Sequence, residues 1–241
     1  MTAKDHYDKH LGNFYSWMYG DFAAKLQEQE QFFRTNEISP HLSTQAIDLG
    51  AGHGVQTVCL IKLGFHVTAV DFNDQLLREL AVNSANRATI VNDDITNFLI
   101  HHRESAGVIT CMGDTLTHLE SLAQVATLFR ESNRILVEHG KLVISFRDLT
   151  SELSGANRFI PVKNDDSRIA TCFLEYFKDY VMVYDILHER FEGEWHQKIS
   201  CYPKLRLNLQ IISGLLASSH FEIVHTETMN RMIYLIARKI P

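Results

Sequence analysis

Residues 46–54 read AIDLGAGHG, with glycines at 50, 52 and 54 alternating behind a short apolar run that contains Asp48. Glycine after a strand permits a sharp turn at positive φ and lets a ligand lie against bare backbone. Two more carboxylates follow at telling places: Asp71 closes FHVTAVD, 21 residues past Gly50, and Asp94 closes TIVNDD. A carboxylate two residues ahead of the first glycine repels a pyrophosphate and suits an ammonium group. One at the end of the second strand accepts hydrogen bonds from both ribose hydroxyls. The third is placed to receive an exocyclic amine. An adenosine without phosphates, attached to a cation, satisfies all three.

Other chemistries fit less well. A P-loop needs a lysine directly after its last glycine, and none occurs before Lys62. The dinucleotide fingerprint wants Gly or Ala where Val55 stands, which disfavours NAD. The 13 histidines form no HExxH, and His6 with His10 reads as an exposed helix face, so no metal is expected. No nucleophile elbow is present, and no catalytic residue stands out. With 23 Lys and Arg against 29 Asp and Glu, the formal charge of −6 disfavours a polyanionic nucleic-acid partner. Cys59, Cys111, Cys172 and Cys201 form no C-x-x-C pair and read as buried reduced thiols. No apolar run approaches the roughly 18 residues that span a bilayer, and MTAKDHYDKH carries no signal-peptide core. A soluble cytoplasmic protein is the expectation, with a homo-oligomer left open.

These residues need positioning elements. An aromatic-rich helical segment spans about 11–34. Strands are expected at 46–50, 65–71, 89–94, 107–112 and 141–146, alternating with helices at 55–64, 73–85, 95–105 and 119–138, the last ended by Gly140. The alternation implies right-handed βαβ units, hence an α/β, doubly wound, mostly parallel sheet with its ligand crevice at the strands' carboxyl ends. After Arg147 the rhythm changes. Strand-like runs at 169–177, 180–191 and 196–207 suggest an inserted antiparallel β-meander, and a helix at 208–218 precedes a closing hairpin that completes seven strands. The expected organisation is one domain over 1–241: a helical lid (1–44), a cofactor-binding core (45–147), a β-rich substrate insertion (148–206), and a C-terminal helix and hairpin (207–241).

The D-x-G-x-G-x-G loop with its two downstream carboxylates resembles the class I methyltransferases, whose cofactor is S-adenosylmethionine. A narrower resemblance, to glycine N-methyltransferase and related small-molecule N-methyltransferases, runs through HYD (6–8), WMYGD (17–21), GFHVTAVDFNDQLL (64–77), MGDTLTHL (112–119), LVISFRD (142–148) and SCYPKLRL (200–207). It implies that Tyr7 and Tyr15 cover the cofactor and that Gly50, Ala51 and Gly52 meet its methionine part, with Asp48 near the ammonium. It also implies that Phe72 and Ile95 flank the adenine and that Met112 lies beside the sulfonium. Arg147 would hold a substrate carboxylate in bidentate fashion, with a surface pair to Asp148 or Glu152 as the alternative. Asp114 departs from the family's asparagine, which puts glycine itself in doubt; it would bind a cationic amine or balance Arg147. Asp114 or Tyr202 would orient an amine acceptor or receive its proton. His118 is expected to brace its loop through a backbone hydrogen bond. Tyr176, Tyr184 and Arg206 remain candidates for the pocket lining. The implied activity is methyl transfer to the nitrogen of a small carboxylate-bearing amine. Open alternatives are O-methylation of a small acid, a binding module without catalysis, and an NAD-dependent oxidoreductase.

Overall fold

The computed structural model describes residues 2–241. Its centre is a seven-stranded sheet formed by β1 (Gln45–Leu49), β2 (His66–Asp71), β3 (Thr89–Asn92), β4 (Ala106–Cys111), β5 (Leu136–Phe146), β10 (Phe221–Met229) and β11 (Met232–Lys239). The order is β10-β11-β5-β4-β1-β2-β3. β1 to β5 run parallel, and β11 is antiparallel to both β5 and β10. The doubly wound architecture expected from the sequence is thus present. The chain leaves β3 at one edge and returns as β4 on the far side of β1, which makes the carboxyl ends of β1 and β4 the topological switch point.

Side-chain alternation explains why helices cover both faces. Ile47, Leu49, Ile109, Cys111, Leu142 and Ile144 point to one core, with Leu99, Val125, Phe129, Ile212 and Leu216 from α6 (Ile95–His101), α7 (Leu122–Ile135) and α8 (Leu209–Ser218). The intervening Ala46, Val108 and Val143 point to the other core, with Phe33, Cys59 and Leu60 from α3 (Phe22–Thr35) and α4 (Val55–Lys62). α5 (Asp74–Asn83) buries Leu77 and Leu80 against Ala51 and Ala69.

A second sheet, order β6-β7-β8-β9, is antiparallel throughout: β6 (Phe159–Asn164), β7 (Arg168–Tyr176), β8 (Tyr180–Phe191) and β9 (Glu194–Leu205). β6 escaped the sequence reading because FIPVKN contains Pro161, which is tolerated only at a sheet edge, where β6 lies. α7 also stops earlier than expected, at Ile135 rather than about Glu138. Leu136 turns extended, is buried, and pairs with Ala106, so β5 begins there and bends at His139 (φ 64°).

The N-terminal segment is not one helix over 11–34. α1 (Ala3–Lys9), a 3-10 turn at Leu11–Asn13, α2 (Tyr15–Tyr19) and α3 follow one another. Gly20 at φ 98° ends α2, and the Asp21 carboxylate caps α3 by accepting from the Ala23 and Ala24 N–H groups. α1 lies against β9, so His6 and His10 are buried and not an exposed face: the turn after α1 packs Leu11 and Phe14 beside Leu187 and Ala170 of the meander. Cys59 and Cys111 are buried as expected, whereas Cys172 and Cys201 are half-buried; all four are free thiols.

Trp17 of α2 fastens the lid to the meander. Its indole N–H donates to Asp165 Oδ2 at 2.5 Å, Lys163 Nζ donates to the Trp17 carbonyl at 2.5 Å, and Lys163 and Arg168 lie over the ring at 5.3 and 5.7 Å. Trp17→Phe keeps a smaller aromatic ring and removes the indole donor. Urea unfolding should show a lower midpoint; an unchanged midpoint would mean that the clamp is not formed.

Candidate functional site

The glycine loop is shaped by backbone hydrogen bonds that only permissive residues allow. Gly50 (φ 67°) and Ala51 both donate their N–H to the Val70 carbonyl, at 2.8 and 3.0 Å. A Cβ on Gly50 would collide with the Thr115 side chain, whereas one on Gly52 (φ 52°) would stop 4.0 Å short of the Tyr15 ring. Asp71, the last residue of β2, ties this loop down: Oδ2 accepts the Gly52 N–H at 2.8 Å and Oδ1 the Asn73 N–H at 2.9 Å. Burial raises the Asp71 pKa against the opposing pull of those donors.

Above the loop lies a crevice of about 810 Å³, partly open to solvent, within the usual size range of small-ligand sites. Gly50, Ala51 and Gly52 form its floor, and Met112 at the exit of β4 closes one wall. Phe72 and Ile95 border it beyond Asp71, and Tyr7 and Tyr15 reach it from the N-terminal segment. Tyr7 meets Phe72 edge-on at 5.7 Å and lies 6.0 Å from Tyr15. Burial raises both phenol pKa values, so the two hydroxyls are neutral. Asp94 caps α6 through Oδ1, which accepts from the Thr96 and Asn97 N–H groups, and it lines the crevice. The lining contains two carboxylates and neither lysine nor arginine among the described residues. That pair of acceptors matches the hydroxyls of a ribose and the amine of an adenine and offers no counter-charge to a phosphate.

Asp48 does not line the crevice as the sequence reading expected. It sits behind the loop, 1% exposed, and accepts hydroxyl protons from Thr57 at 2.6 Å and Thr110 at 2.7 Å. Its role is therefore within the core of β1, β4 and α4 and not direct contact with an ammonium. Burial pushes its pKa up to about 6 against those two hydrogen bonds.

Asp114 and Arg147 pair, as one of the two readings of Asp114 expected, and Lys204 joins them. Asp114 is 2% exposed and bound three times: Oδ2 by Lys204 Nζ at 2.6 Å and by Arg147 Nη1 at 3.3 Å, Oδ1 by the Arg147 N–H at 3.0 Å. Burial acts to raise its pKa, but the Lys204 and Arg147 charges prevail and bring it to about 2. Asp114 is thus a committed anion and not a vacant site for a cationic amine. The Arg147 pair is with Asp114 rather than Asp148 or Glu152; Glu152 pairs with Arg206.

Tyr202 is buried behind the crevice wall, stacked on His6 at 4.1 Å and on His118 at 5.2 Å. His6 is held at Nδ1 by Ser200 and at Nε2 by Asp185, at 2.7 and 2.9 Å. His118 lines the crevice, but its Nδ1 is buried without a hydrogen-bond partner, so the expected backbone brace is absent. Burial first, and then the Lys204 charge, lower its pKa to about 3, which keeps the ring neutral. Tyr176, Tyr184 and Arg206 do not reach the crevice: Tyr184 donates to Glu175, and Arg206 braces Phe177 and Thr150 with Tyr176 beneath it.

Sequence reasoning gave Lys204 no role. The available signal was its place two residues after Tyr202 on one strand, which puts both side chains on the same face.

The Asp48 pKa carries a sign. With a folded value of about 6 above the ordinary 3.8, its contribution to stability is complete below pH 3.8 and is lost as pH rises through about 6. Asp48→Asn should therefore be more stable than the wild type by about 1–3 kcal/mol at pH 7.5, and the gap should close below pH 4. Thermal melts across that range check it; a variant less stable at every pH contradicts it.

The sequence pattern of the methyltransferase-domain family matches residues 46–140. A glycine/sarcosine N-methyltransferase of Aphanothece halophytica is 26% identical over 129 residues, 52% of this chain and 48% of the relative. One from Parasynechococcus marenigrum is 22% identical over 140 residues, 57% of this chain and 49% of the relative. The chain spans about half the length of these relatives. In three dimensions it is similar to an S-adenosylmethionine-dependent methyltransferase of Clostridium acetobutylicum (TM-score 0.75, 16% identity, 98% of this chain and 97% of the other). A sugar N-methyltransferase of Streptoalloteichus also superposes (TM-score 0.75, 14% identity, 97% and 94% covered). Residues 46–140 thus match the methyltransferase-domain family, and the chain as a whole has the fold of the class I S-adenosylmethionine-dependent methyltransferases.

Proposed function

We propose that the protein methylates a small molecule, with S-adenosylmethionine as donor, at the amine nitrogen of a carboxylate-bearing acceptor. When bound, that cofactor supplies a methyl group already activated on a sulfonium. The observation that carries the reading is a crevice at the switch point lined by Asp71, Asp94 and aromatic rings, with neither lysine nor arginine in that lining among the described residues, and with Arg147, directly after β5, paired to Asp114 between the lining residues Gly113 and Thr115. Asp71 and Asp94 would hold the ribose and the adenine amine, Phe72 and Ile95 the adenine faces, and the 50–52 backbone the methionine part.

The residues on the acceptor side position and exclude; they do not activate. Methyl transfer from a sulfonium needs an in-line nucleophile at near-contact distance in a site closed to water. Tyr7, Tyr15 and Tyr19 close the crevice from the lid. The Arg147 side chain is 48% exposed and spends one N–H on Asp114, which leaves the rest of the fork for a carboxylate. The neutral His118 ring in the wall can accept a hydrogen bond from the amine and so orient its lone pair. The acceptor enters as the free amine, its ammonium proton already lost to bulk water, since Asp114 is bound by two cations and cannot take it; the product leaves as the methylated ammonium. The likeness to glycine/sarcosine N-methyltransferases supports an amine with a carboxylate.

A panel of amino acids, amino sugars and hydroxy acids, assayed for S-adenosylhomocysteine, tests this reading. Acceptors with both amine and carboxylate should be preferred. Arg147→Ala should then raise their KM by about 30- to 100-fold, the worth of one charged hydrogen-bonded pair, with cofactor affinity unchanged. Turnover confined to hydroxy acids, or an unchanged KM, rules the proposal out.

A further inference from the structure

Asp114 occupies a conformation that side chains avoid, φ 76° directly after Gly113 at φ 71°. It is held there by groups from two other elements. Lys204 comes from β9 and is itself nearly buried, with a side chain 11% exposed; Arg147 comes from the end of β5 with a side chain 48% exposed. The geometry is unequal. Lys204 is the close partner at 2.6 Å, and the Arg147 guanidinium is the distant one at 3.3 Å on the same oxygen. Asp114 is thus met by two cations, and the exposed one is Arg147; the other carboxylate that feels Lys204, Asp185, is tied to His6 Nε2 and Cys172.

We propose that Lys204 is a positioning residue that sets the charge class of the acceptor: by neutralising buried Asp114 it leaves the Arg147 guanidinium available for a carboxylate in the crevice. The proposal deepens the reading above and rests on it, since Arg147 is taken to meet the acceptor. A buried carboxylate without a counter-ion is costly by several kcal/mol. With Lys204 gone, Asp114 recruits the one cation left beside it, and the 3.3 Å contact tightens into a full pair. The arginine then turns from the crevice to the wall. Removing the Asp114 charge as well abolishes that demand and frees the arginine again. A lysine that merely filled space under Tyr202, over whose ring it lies at 5.7 Å, would show no such rescue.

The test reads Arg147 directly. Phenylglyoxal labelling of the full chain, followed by mass spectrometry, gives the reaction rate at Arg147. Arg206, fixed by Glu152 and two carbonyls, serves as reference in the same digest. Lys204→Gln should slow labelling at Arg147 by roughly three- to tenfold, and Asp114→Asn should speed it. The double variant should match Asp114→Asn, a strong departure from additivity. Lys204→Arg should behave as wild type. Should Lys204→Gln melt early, Asp114→Asn still decides by its acceleration. An Arg147 rate indifferent to Lys204→Gln and to Asp114→Asn, or a double variant as slow as Lys204→Gln, overturns the proposal. Failure of the underlying reading looks different: labelling shifts as stated, while the wild type turns over glycine and glycinamide, or β-alanine and its amide, equally well.

Discussion

A single carboxylate at the tip of β2 organises the ligand crevice. Asp71 grips the Gly52 N–H with one oxygen and the Asn73 N–H with the other, so the glycine loop and the start of α5 are fixed to the sheet from the same side chain. That pair adds to the bonds from the Gly50 and Ala51 N–H groups to the Val70 carbonyl in fixing a loop with three glycines at positive φ. Asn73 extends the grip: its side chain accepts the Leu76 N–H to cap α5 and donates to Asp8 of the lid. One acidic position thereby links floor, wall and roof. The same acidity decides what the crevice admits, because no lysine or arginine among the described residues lines it to offset a phosphate.

The acceptor side is built on a different principle. Segments far apart in the chain meet through buried polar groups: α1 supplies His6, β8 supplies Asp185, β9 supplies Ser200, Tyr202 and Lys204, and the turn after β4 supplies Asp114 and His118. Buried polar clusters of this kind rigidify when fully satisfied and are costly when one member is lost. Here the cluster joins the N-terminal segment, the meander and the core, so these three parts are held by one set of contacts. Among the described residues of the cluster, His118, which lines the crevice, keeps its Nδ1 buried without a hydrogen-bond partner.

Most of the fold was legible because local and long-range signals agree: strands of four to twelve residues with apolar faces, α7 with one buried stripe, and glycines where φ must be positive. The failures have separate physical causes. Pro161 masks an edge strand, Leu136 leaves the helix to pair with Ala106, and Gly20 with the Asp21 cap breaks an aromatic segment that looks continuous. In the site, residues at strand ends were readable, since strand order alone brings Asp71, Ile95 and Met112 to one edge. Asp48 misled because spacing cannot tell a carboxylate facing a ligand from one satisfied by Thr57 and Thr110 behind it. Lys204 and buried His6 were invisible as site residues because their partners lie 90 and 179 residues away in the chain.

The central claim is that the crevice recognises a phosphate-free, cationic adenosine derivative through Asp71 and Asp94. A crystal structure of the chain grown with S-adenosylmethionine tests it most directly. The ribose hydroxyls should lie within hydrogen-bond distance of Asp71 and the adenine amine should approach Asp94, with the ring between Phe72 and Ile95. The same crystals soaked in NAD and showing its pyrophosphate over Gly52, or an empty crevice with the methionine derivative, would contradict the account.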